Sequence, residues 1–251
     1  LDERGRLVYL DLQAERERAA PLQTGAATET IAFVGAGNVG LRWSPSGQEL
    51  AVSGARSAAD RRASTYILQH GEHRAVALDC DDFAGVVWSP DGTRLAGTRG
   101  VGSQATLCIV ELGADLRRDV PLEGAVHPAQ VLDWSADERL YFKGAEHDSV
   151  YVVPIGGGIP RAIPNANWLR CLPGRDEVCY HAGHQLRRAA LDPEGLPAAG
   201  HAVLADRVPP FASPFSVTPD GRRILYTNDS LIEAWLGARA TSTSGDGEFR
   251  W

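Results

Sequence analysis

The clearest structural signal in the sequence is Val86-Val87-Trp88-Ser89-Pro90-Asp91-Gly92, in which an apolar run is followed directly by residues typical of a tight turn. Proline fixes φ, and the Asp-Gly pair accepts the positive φ that a turn between antiparallel strands requires. The pattern therefore predicts a β-hairpin. Four further segments repeat it, the last two in degenerate form: Leu41-Arg42-Trp43-Ser44-Pro45-Ser46-Gly47, Leu132-Asp133-Trp134-Ser135-Ala136-Asp137-Glu138, Leu169-Arg170-Cys171-Leu172-Pro173-Gly174-Arg175 and Phe215-Ser216-Val217-Thr218-Pro219-Asp220-Gly221.

The five segments keep two registers at once. One position before each turn, called the anchor here, is occupied by Trp43, Trp88, Trp134, Cys171 and Val217, in steps of 45, 46, 37 and 46 residues. An aliphatic residue follows each anchor six or seven positions later, at Leu50, Leu95, Leu140, Val178 and Ile224. Chance does not maintain both spacings, so the segments are copies of one structural unit.

Each unit is predicted to be a four-stranded sheet. The hairpin supplies a first strand and a second one, such as Ile224–Thr227. Thr106–Val110 and Ser149–Val153 are predicted third strands, because they are rich in β-branched and apolar residues. Gly156–Gly158 then turns the chain into Pro160–Ile163, a predicted fourth strand. Four strands in about 40 to 45 residues is the period of a propeller blade.

These motifs resemble those of a known family. The Trp-Ser-Pro-Asp-Gly turn, the aliphatic strand after it and the Gly-Gly-x-Pro-Arg ending at Gly157–Arg161 look like the WD40-like (PD40) repeat of TolB-type β-propellers. The resemblance implies an all-β fold of four-stranded antiparallel blades. It is not specific for function, because such propellers occur as binding domains, as sensor domains and as accessory domains of peptidases. We expect a non-enzymatic module that binds or senses a protein, a peptide or a small ligand. The alternative is an enzyme or the accessory domain of one, either a metal-dependent lactonase-like or lyase-like propeller or the propeller of a prolyl-oligopeptidase-like hydrolase.

The number of blades follows less directly from the repeats. The chain length favours six blades and leaves five or seven open. Arg6–Leu12 resembles an outer strand of a unit, and Glu248–Trp251 resembles the inner strand Gly40–Trp43. We therefore expect pairing of the N- and C-terminal strands to close the ring and to leave no exposed sheet edge. Residues 1–251 form one predicted propeller domain, and because the chain begins at Leu1 and lacks Met we expect it to belong to a longer or processed protein.

The charge of the chain limits its partners. The 25 basic residues against 32 acidic ones give a net charge of −7, without a basic block that could neutralise nucleic-acid phosphates. No stretch approaches the roughly 20 apolar residues that would cross a bilayer, so neither nucleic acid nor membrane insertion is predicted. An attached domain outside this sequence remains open.

The cysteines bear on the compartment. Cys80, Cys108, Cys171 and Cys179 show no C-x-x-C spacing, which predicts buried thiols, although Cys171 and Cys179 could approach each other across a hairpin. Unpaired cysteines favour a reducing interior. The resemblance to TolB-type proteins implies the periplasm, which we prefer to the cytoplasm, although both compartments stay open.

Three motifs suggest cofactor or metal sites, and we predict none of these sites. Gly35–Gly40 matches G-x-G-x-x-G, but Trp43–Gly47 leaves no room for the helix that a dinucleotide site needs, so a loop is predicted. His181 and His184 could offer two imidazoles, yet no third ligand is indicated, and solvated loop histidines are expected. Asp79–Asp82 is predicted to be a polar loop rather than a calcium site. No nucleophile motif appears, so no catalytic residue is predicted.

The predicted binding surface is the face where the loops of the blades gather. Positions three residues beyond each aliphatic landmark are all polar: Ser53, Thr98, Lys143, His181 and Thr227. Charged or polar residues precede four of the anchors: Arg42, Asp133, Arg170 and Ser216. A ligand with anionic groups would suit the basic members. The candidate binding residues are Arg42, Arg99, Lys143, Arg170, His181 and His184; the competing interpretation is that strand ends are polar because they meet water.

Overall fold

The computed structural model describes residues 7–11, 16–20, 40–55, 63–69, 75–77, 83–100, 102–114, 116–145, 149–205, 215–217, 223–228 and 233–238. Within them the regular structure is β-strand, apart from one 3₁₀ turn at Gly102–Gln104. Strands β1 (Leu7–Asp11) and β2 (Arg16–Ala20) form a two-stranded sheet. No helix in this described part is long and apolar enough to span a membrane.

The other strands form sheets that follow the sequence repeat, and we number them as blades in chain order. Blade 1 contains β3 (Gly40–Trp43), β4 (Glu49–Ala55), β5 (Ala63–Gln69) and β6 (Ala75–Ala77). Blade 2 contains β7 (Phe83–Trp88), β8 (Arg94–Arg99), β9 (Thr106–Glu111) and β10 (Leu116–Val120). Blade 3 contains β11 (Pro128–Trp134), β12 (Arg139–Gly144), β13 (Val150–Pro154) and β14 (Arg161–Ile163).

Two further sheets complete the described structure. Blade 4 contains β15 (Ala166–Cys171), β16 (Glu177–Ala182), β17 (Gln185–Ala190) and β18 (Ala202–Ala205). Blade 5 shows β19 (Phe215–Val217), β20 (Arg223–Asn228) and β21 (Glu233–Ala238). Neighbouring strands within each blade are antiparallel and consecutive in the chain, which confirms the predicted all-β fold of four-stranded antiparallel sheets.

Strand register explains why the sequence keeps two spacings. The anchor of each unit lies opposite its aliphatic landmark across the hairpin, and the five pairs are Trp43–Leu50, Trp88–Leu95, Trp134–Leu140, Cys171–Val178 and Val217–Ile224. A one-residue slip would send every side chain to the opposite face of its sheet. The turn between the two positions therefore keeps the anchor and the landmark paired in all five repeats, although it is one residue shorter between Trp134 and Leu140 than in the other four.

A side-chain network stabilises the hairpin turn of blade 2. The Ser89 hydroxyl accepts a hydrogen bond from the Arg94 backbone N–H at 2.9 Å and donates one to Asp91 at 2.5 Å. The Thr93 backbone N–H donates to the same carboxylate oxygen at 3.0 Å. These bonds lower the pKa of Asp91 to about 2, with the Ser89 hydroxyl as the largest contributor. Gly92 takes the positive φ of 74° that the turn requires.

Apolar side chains form the core between blades rather than within one sheet. One cluster joins blade 1 to blade 2, and it includes Ile67, Phe83 and Trp88. Equivalent clusters join blade 2 to blade 3 and blade 3 to blade 4. Val86 and Val87 are both buried because successive residues of β7 face the two neighbouring blades. The inner strands β3, β7, β11, β15 and β19 lie beside one another in that order.

Several sequence predictions can be compared with these elements. Gly40–Trp43 is a strand and not the start of a helix, as a dinucleotide site would require. Residues 31–39, Asp79–Asp82 and the Glu248–Trp251 segment of the predicted closing blade lie outside the described residues. Cys108, Cys171 and Cys179 are free thiols. Burial raises the pKa of Cys179 to about 12.

Candidate functional site

The candidate residues on the second strands share one edge of their blades. Ser53, Thr98, Lys143 and His181 each lie opposite the beginning of the inner strand of their own blade. This is the edge opposite the hairpin turns. Ser53 and His181 are 0% and 1% exposed, so the interpretation that these side chains are polar because they meet water is wrong for them. Thr227 lies on β20.

Trp168 on β15 connects three candidate residues. The Lys143 ammonium of blade 3 lies 6.0 Å from the centroid of its ring, and the Arg170 guanidinium lies 5.3 Å from the same centroid. His181 is its partner across the hairpin. Trp168 is only 4% exposed, and cations over a desolvated indole face are attracted by its quadrupole. The aromatic ring therefore holds two positive side chains from neighbouring blades near each other.

Arg170 is a buried cation at the junction of blades 3 and 4. Its guanidinium donates a hydrogen bond to the backbone carbonyl of Leu132 on β11. Burial lowers the pKa of Arg170, and the nearby Asp133 carboxylate opposes this shift. Asp133 itself accepts hydrogen bonds from the backbone N–H groups of Cys171 at 2.8 Å and Trp134 at 2.9 Å. The charge of Asp133 is thus already stabilised by the backbone of both blades.

Arg42 brings a second guanidinium to the same place from blade 1. Loss of solvent on burial, together with the positive charge of Arg170, lowers the pKa of Arg42 to about 9, and Asp133 opposes the shift. The Arg42 Nε is buried without a hydrogen-bond acceptor. Because β7 and β11 separate β3 from β15 in the order of inner strands, the two guanidiniums belong to blades that are not adjacent.

The two histidines of the candidate set lie in different surroundings. His181 is buried, with its Nδ1 within 2.8 Å of Asn167 Oδ1. His184 is exposed on the turn between β16 and β17. The expectation of two solvated histidines is therefore wrong for His181. In the described part of the chain, no three His, Cys, Asp or Glu side chains group as metal ligands would.

Arg99 is separate from the other basic candidates. It is the last residue of β8, and it forms an ion pair of 2.8 Å with Asp119 on the outermost strand of blade 2. The Asp119 side chain is exposed and that of Arg99 is partly exposed, and such pairs contribute about 1 kcal/mol or less to stability. The structure thus brings Arg42, Lys143, Arg170 and His181 together and leaves Arg99 and His184 outside.

We use the name inner-strand cluster for six residues: Arg42, Asp133, Lys143, Trp168, Arg170 and His181. Sequence reasoning identified its charged members from their positions in the repeat, and it missed Trp168 and Asn167. Trp168 was detectable, since it precedes Arg170 by two residues and therefore shares its face of the strand. Asn167 carried no such signal, because its role depends on the burial of His181.

Comparisons with known proteins support the fold. No family model matches the sequence, and no curated protein is similar to it. Among solved structures, TolB from Acinetobacter baumannii superposes with a TM-score of 0.62 at 12% identity, covering 92% of this chain and 56% of that one. A putative TolB from Agrobacterium tumefaciens has a TM-score of 0.58 at 17% identity, covering 79% and 73%.

The same fold occurs in an enzyme. A prolyl endopeptidase matches with a TM-score of 0.50 at 13% identity over 95% of this chain and 39% of its own length. This chain spans only 56% of the Acinetobacter TolB chain as well. At such identities the likeness concerns the fold and not the activity. The chain therefore folds as a β-propeller of the type found in TolB.

Proposed function

We propose that this chain is a non-enzymatic binding or sensor module that recognises an anionic group of a protein, a peptide or a small ligand at the inner-strand cluster. The observation that carries the proposal is the closeness of several cations from different blades. Arg42 and Arg170 both interact electrostatically with the Asp133 carboxylate, which also accepts two backbone hydrogen bonds, and the Lys143 ammonium lies over the same Trp168 ring as the Arg170 guanidinium.

An anion would relieve an electrostatic cost that is already present. Like charges that are partly removed from water repel each other, and the lowered pKa of Arg42 reflects both effects. A carboxylate or phosphate placed near Arg42 would accept charge-assisted hydrogen bonds, including one from the buried Nε. Since the whole chain carries a net charge of −7, long-range attraction does not favour anions, and binding depends on this local geometry.

The enzymatic alternative has less support from the arrangement of side chains. A metal-dependent propeller would use His181 and His184, but one is buried against Asn167 and the other is exposed on a turn. Metal analysis of the purified chain tests this alternative directly. Stoichiometric metal that disappears in a His181→Gln, His184→Gln double variant would favour the enzymatic role over the binding role.

The binding proposal is tested by titrating the chain with phosphate and with succinate in a calorimeter at constant ionic strength. Arg42→Gln is the best variant, because Arg42 is only half-buried, whereas Arg170 is an interblade contact whose loss would also affect folding. We expect Arg42→Gln to weaken anion binding about tenfold, which corresponds to the loss of one charge-assisted hydrogen bond. Lys143→Gln should weaken binding less, since the ammonium also lies over Trp168.

The matched control is Arg117→Gln, which removes the same charge from an exposed position on β10, outside the cluster. The control should bind like the wild type. Equal affinity of the wild type and Arg42→Gln for both anions, with both proteins folded, would exclude the inner-strand cluster as the site.

A further inference from the structure

A concave surface that includes no residue of the inner-strand cluster lies where the outer part of blade 3 faces blade 4. It is a groove of about 450 Å³, a size within the range of ligand sites in proteins. Val152 and Pro154 of β13 line it together with Ile159 and Pro193. Val152 is 2% exposed, whereas Ile159 is 71% exposed. Apolar residues thus lie both at the buried base of the groove and at its solvent-exposed rim.

One wall of the groove is a turn of blade 4 that is firmly attached to blade 3. The Tyr141 hydroxyl donates a hydrogen bond to the backbone carbonyl of Gly195 at 2.9 Å, and the Arg139 guanidinium donates to the carbonyl of Pro193. Asp192 also accepts two backbone hydrogen bonds within the turn, each of 2.8 Å. An ordinary surface turn does not need this many contacts, so the wall is held in place before any ligand arrives.

The opposite end of the groove is equally fixed. Gly157 has φ +94°, and a Cβ atom there would lie 2.3 Å from the backbone carbonyl oxygen of Pro121. The next residue, Gly158, forms a parallel bridge with Leu122 from the segment that leaves blade 2. Only glycine permits this close approach of two backbones. The groove is therefore a preformed feature of the contacts between blades 2, 3 and 4.

The charged residues that line the groove are balanced, two acidic and two basic, and they leave one carboxylate outside an ion pair. Arg139 pairs with Asp137, and Arg161 pairs with Glu194. The Glu123 carboxylate also lines the groove, and the described residues provide it with no ion pair. The Arg161 and Glu194 side chains are 54% and 50% exposed, so exchanging that pair for another cation costs little. The groove combines an apolar floor with carboxylates that can receive a positive charge.

We propose that this groove binds a basic side chain of a peptide partner, with its hydrocarbon stem on Val152, Pro154 and Ile159 and its cation at Glu123 and Glu194. Lysine and arginine side chains have this combination of an apolar stem and a charged end. The volume exceeds that of one side chain, which leaves room for the flanking peptide backbone. The net charge of −7 favours the approach of a basic partner.

The test uses two small peptide models with the full chain: N-acetyl-lysine methylamide and N-acetyl-norleucine methylamide, which differ by the ammonium group. Binding is followed by two-dimensional NMR at the backbone amides of Val152, Ile159 and Glu194. We expect the lysine compound to shift these amides and to bind at least about threefold more tightly than the norleucine compound. Butylamine, which lacks the peptide backbone, should bind more weakly than the lysine compound.

Variants locate the cation. Glu123→Gln should weaken binding of the lysine compound about three- to fivefold and leave the norleucine compound unchanged. Glu111→Gln, an exposed acid at the end of β9 outside the groove, is the matched control and should change neither. Arg42→Gln should also have no effect, which separates this site from the inner-strand cluster. Equal binding of the two model compounds, unchanged binding in folded Glu123→Gln, or butylamine binding as tightly as the lysine compound would overturn the proposal.

Discussion

Trp43 and Trp134 occupy the same position in two copies of one repeat, yet their surroundings differ. Both lie opposite the aliphatic landmark of their hairpin. Trp134 is 3% exposed and has the Arg94 guanidinium of blade 2 at 4.8 Å above its ring. Trp43 is 57% exposed. The pairing of strands within a blade is therefore decided locally, whereas the burial of the anchor side chain depends on contacts with other parts of the chain, such as the contact of Trp134 with Arg94 of blade 2.

The interblade contacts show what the preceding blade contributes. At blades 2 and 3, Arg94 donates a hydrogen bond of 2.6 Å to Glu138. Glu138 adopts φ 62°, although the equivalent turn position of blade 2 has Gly92. Glu138 thus has a positive φ, which residues other than glycine disfavour, and its side chain contacts the neighbouring blade. Blade 1 has Gly47 in that position and needs no such support.

The largest effect that we predict follows from the two tryptophans. Trp134→Ala should lower the free energy of unfolding by about 3 to 5 kcal/mol, because it leaves a cavity between two blades. Trp43→Ala should cost less than about 1 kcal/mol, since most of the residue is exposed. Urea denaturation of both variants provides the measurement. If Trp43→Ala destabilises the protein as much as Trp134→Ala, the Trp43 side chain is covered in solution. The difference in burial between the two tryptophans would then be contradicted.

Two glycines extend the comparison from side chains to backbone. Gly157→Ala should destabilise the protein by about 3 kcal/mol, because its Cβ would overlap the Pro121 carbonyl in addition to the unfavourable positive φ. Gly47→Ala has φ +72° but open space around the new Cβ, so we expect a cost of about 1 kcal/mol. Thermal denaturation monitored by circular dichroism would rank the two. Similar costs would mean that blade 3 can move away from the Pro121 segment.

The smallest predicted effect concerns pH. The folded-state pKa of Asp91 is lowered to about 2, so the charged carboxylate stabilises the fold above about pH 4 and this contribution disappears as the pH falls through 2. Asp91→Asn should therefore cost less than about 1 kcal/mol at pH 7, since about half of the side chain is exposed, and progressively less as the pH falls through 2.

Blade 1 offers the control for this titration. Its turn has Ser46 in place of the aspartate, and the Ser46 hydroxyl lies 3.0 Å from that of Ser44. Ser46→Ala should show a stability difference from the wild type that does not change between pH 2 and pH 7. Stability would be followed by urea denaturation at each pH. An Asp91→Asn difference that is constant over this range would contradict the proposed origin of the lowered pKa.

The hairpins were predictable because their information is local. Proline, Asp-Gly and the alternation of apolar residues act within about ten residues, so the strands β7, β11 and β20 could be placed from the sequence. The binding residues were predictable only in part. Arg42 and Arg170 could be identified because equivalent positions of a repeat occupy equivalent places. The separation of Arg99 from them depends on Asp119, whose position on the outermost strand no local pattern revealed.

Local patterns in the sequence were sufficient to identify the repeating unit and its strand register, because turn residues and cross-strand pairs interact over short distances along the chain. The packing of the blades was needed to show which of the equivalent side chains are buried, which cations lie near Asp133, and that a groove forms beside the Asp192–Gly195 turn. These properties arise where one blade meets another. Burial and electrostatic coupling depend on distances between segments that the chain separates by one or more repeats, and no local pattern specifies those distances.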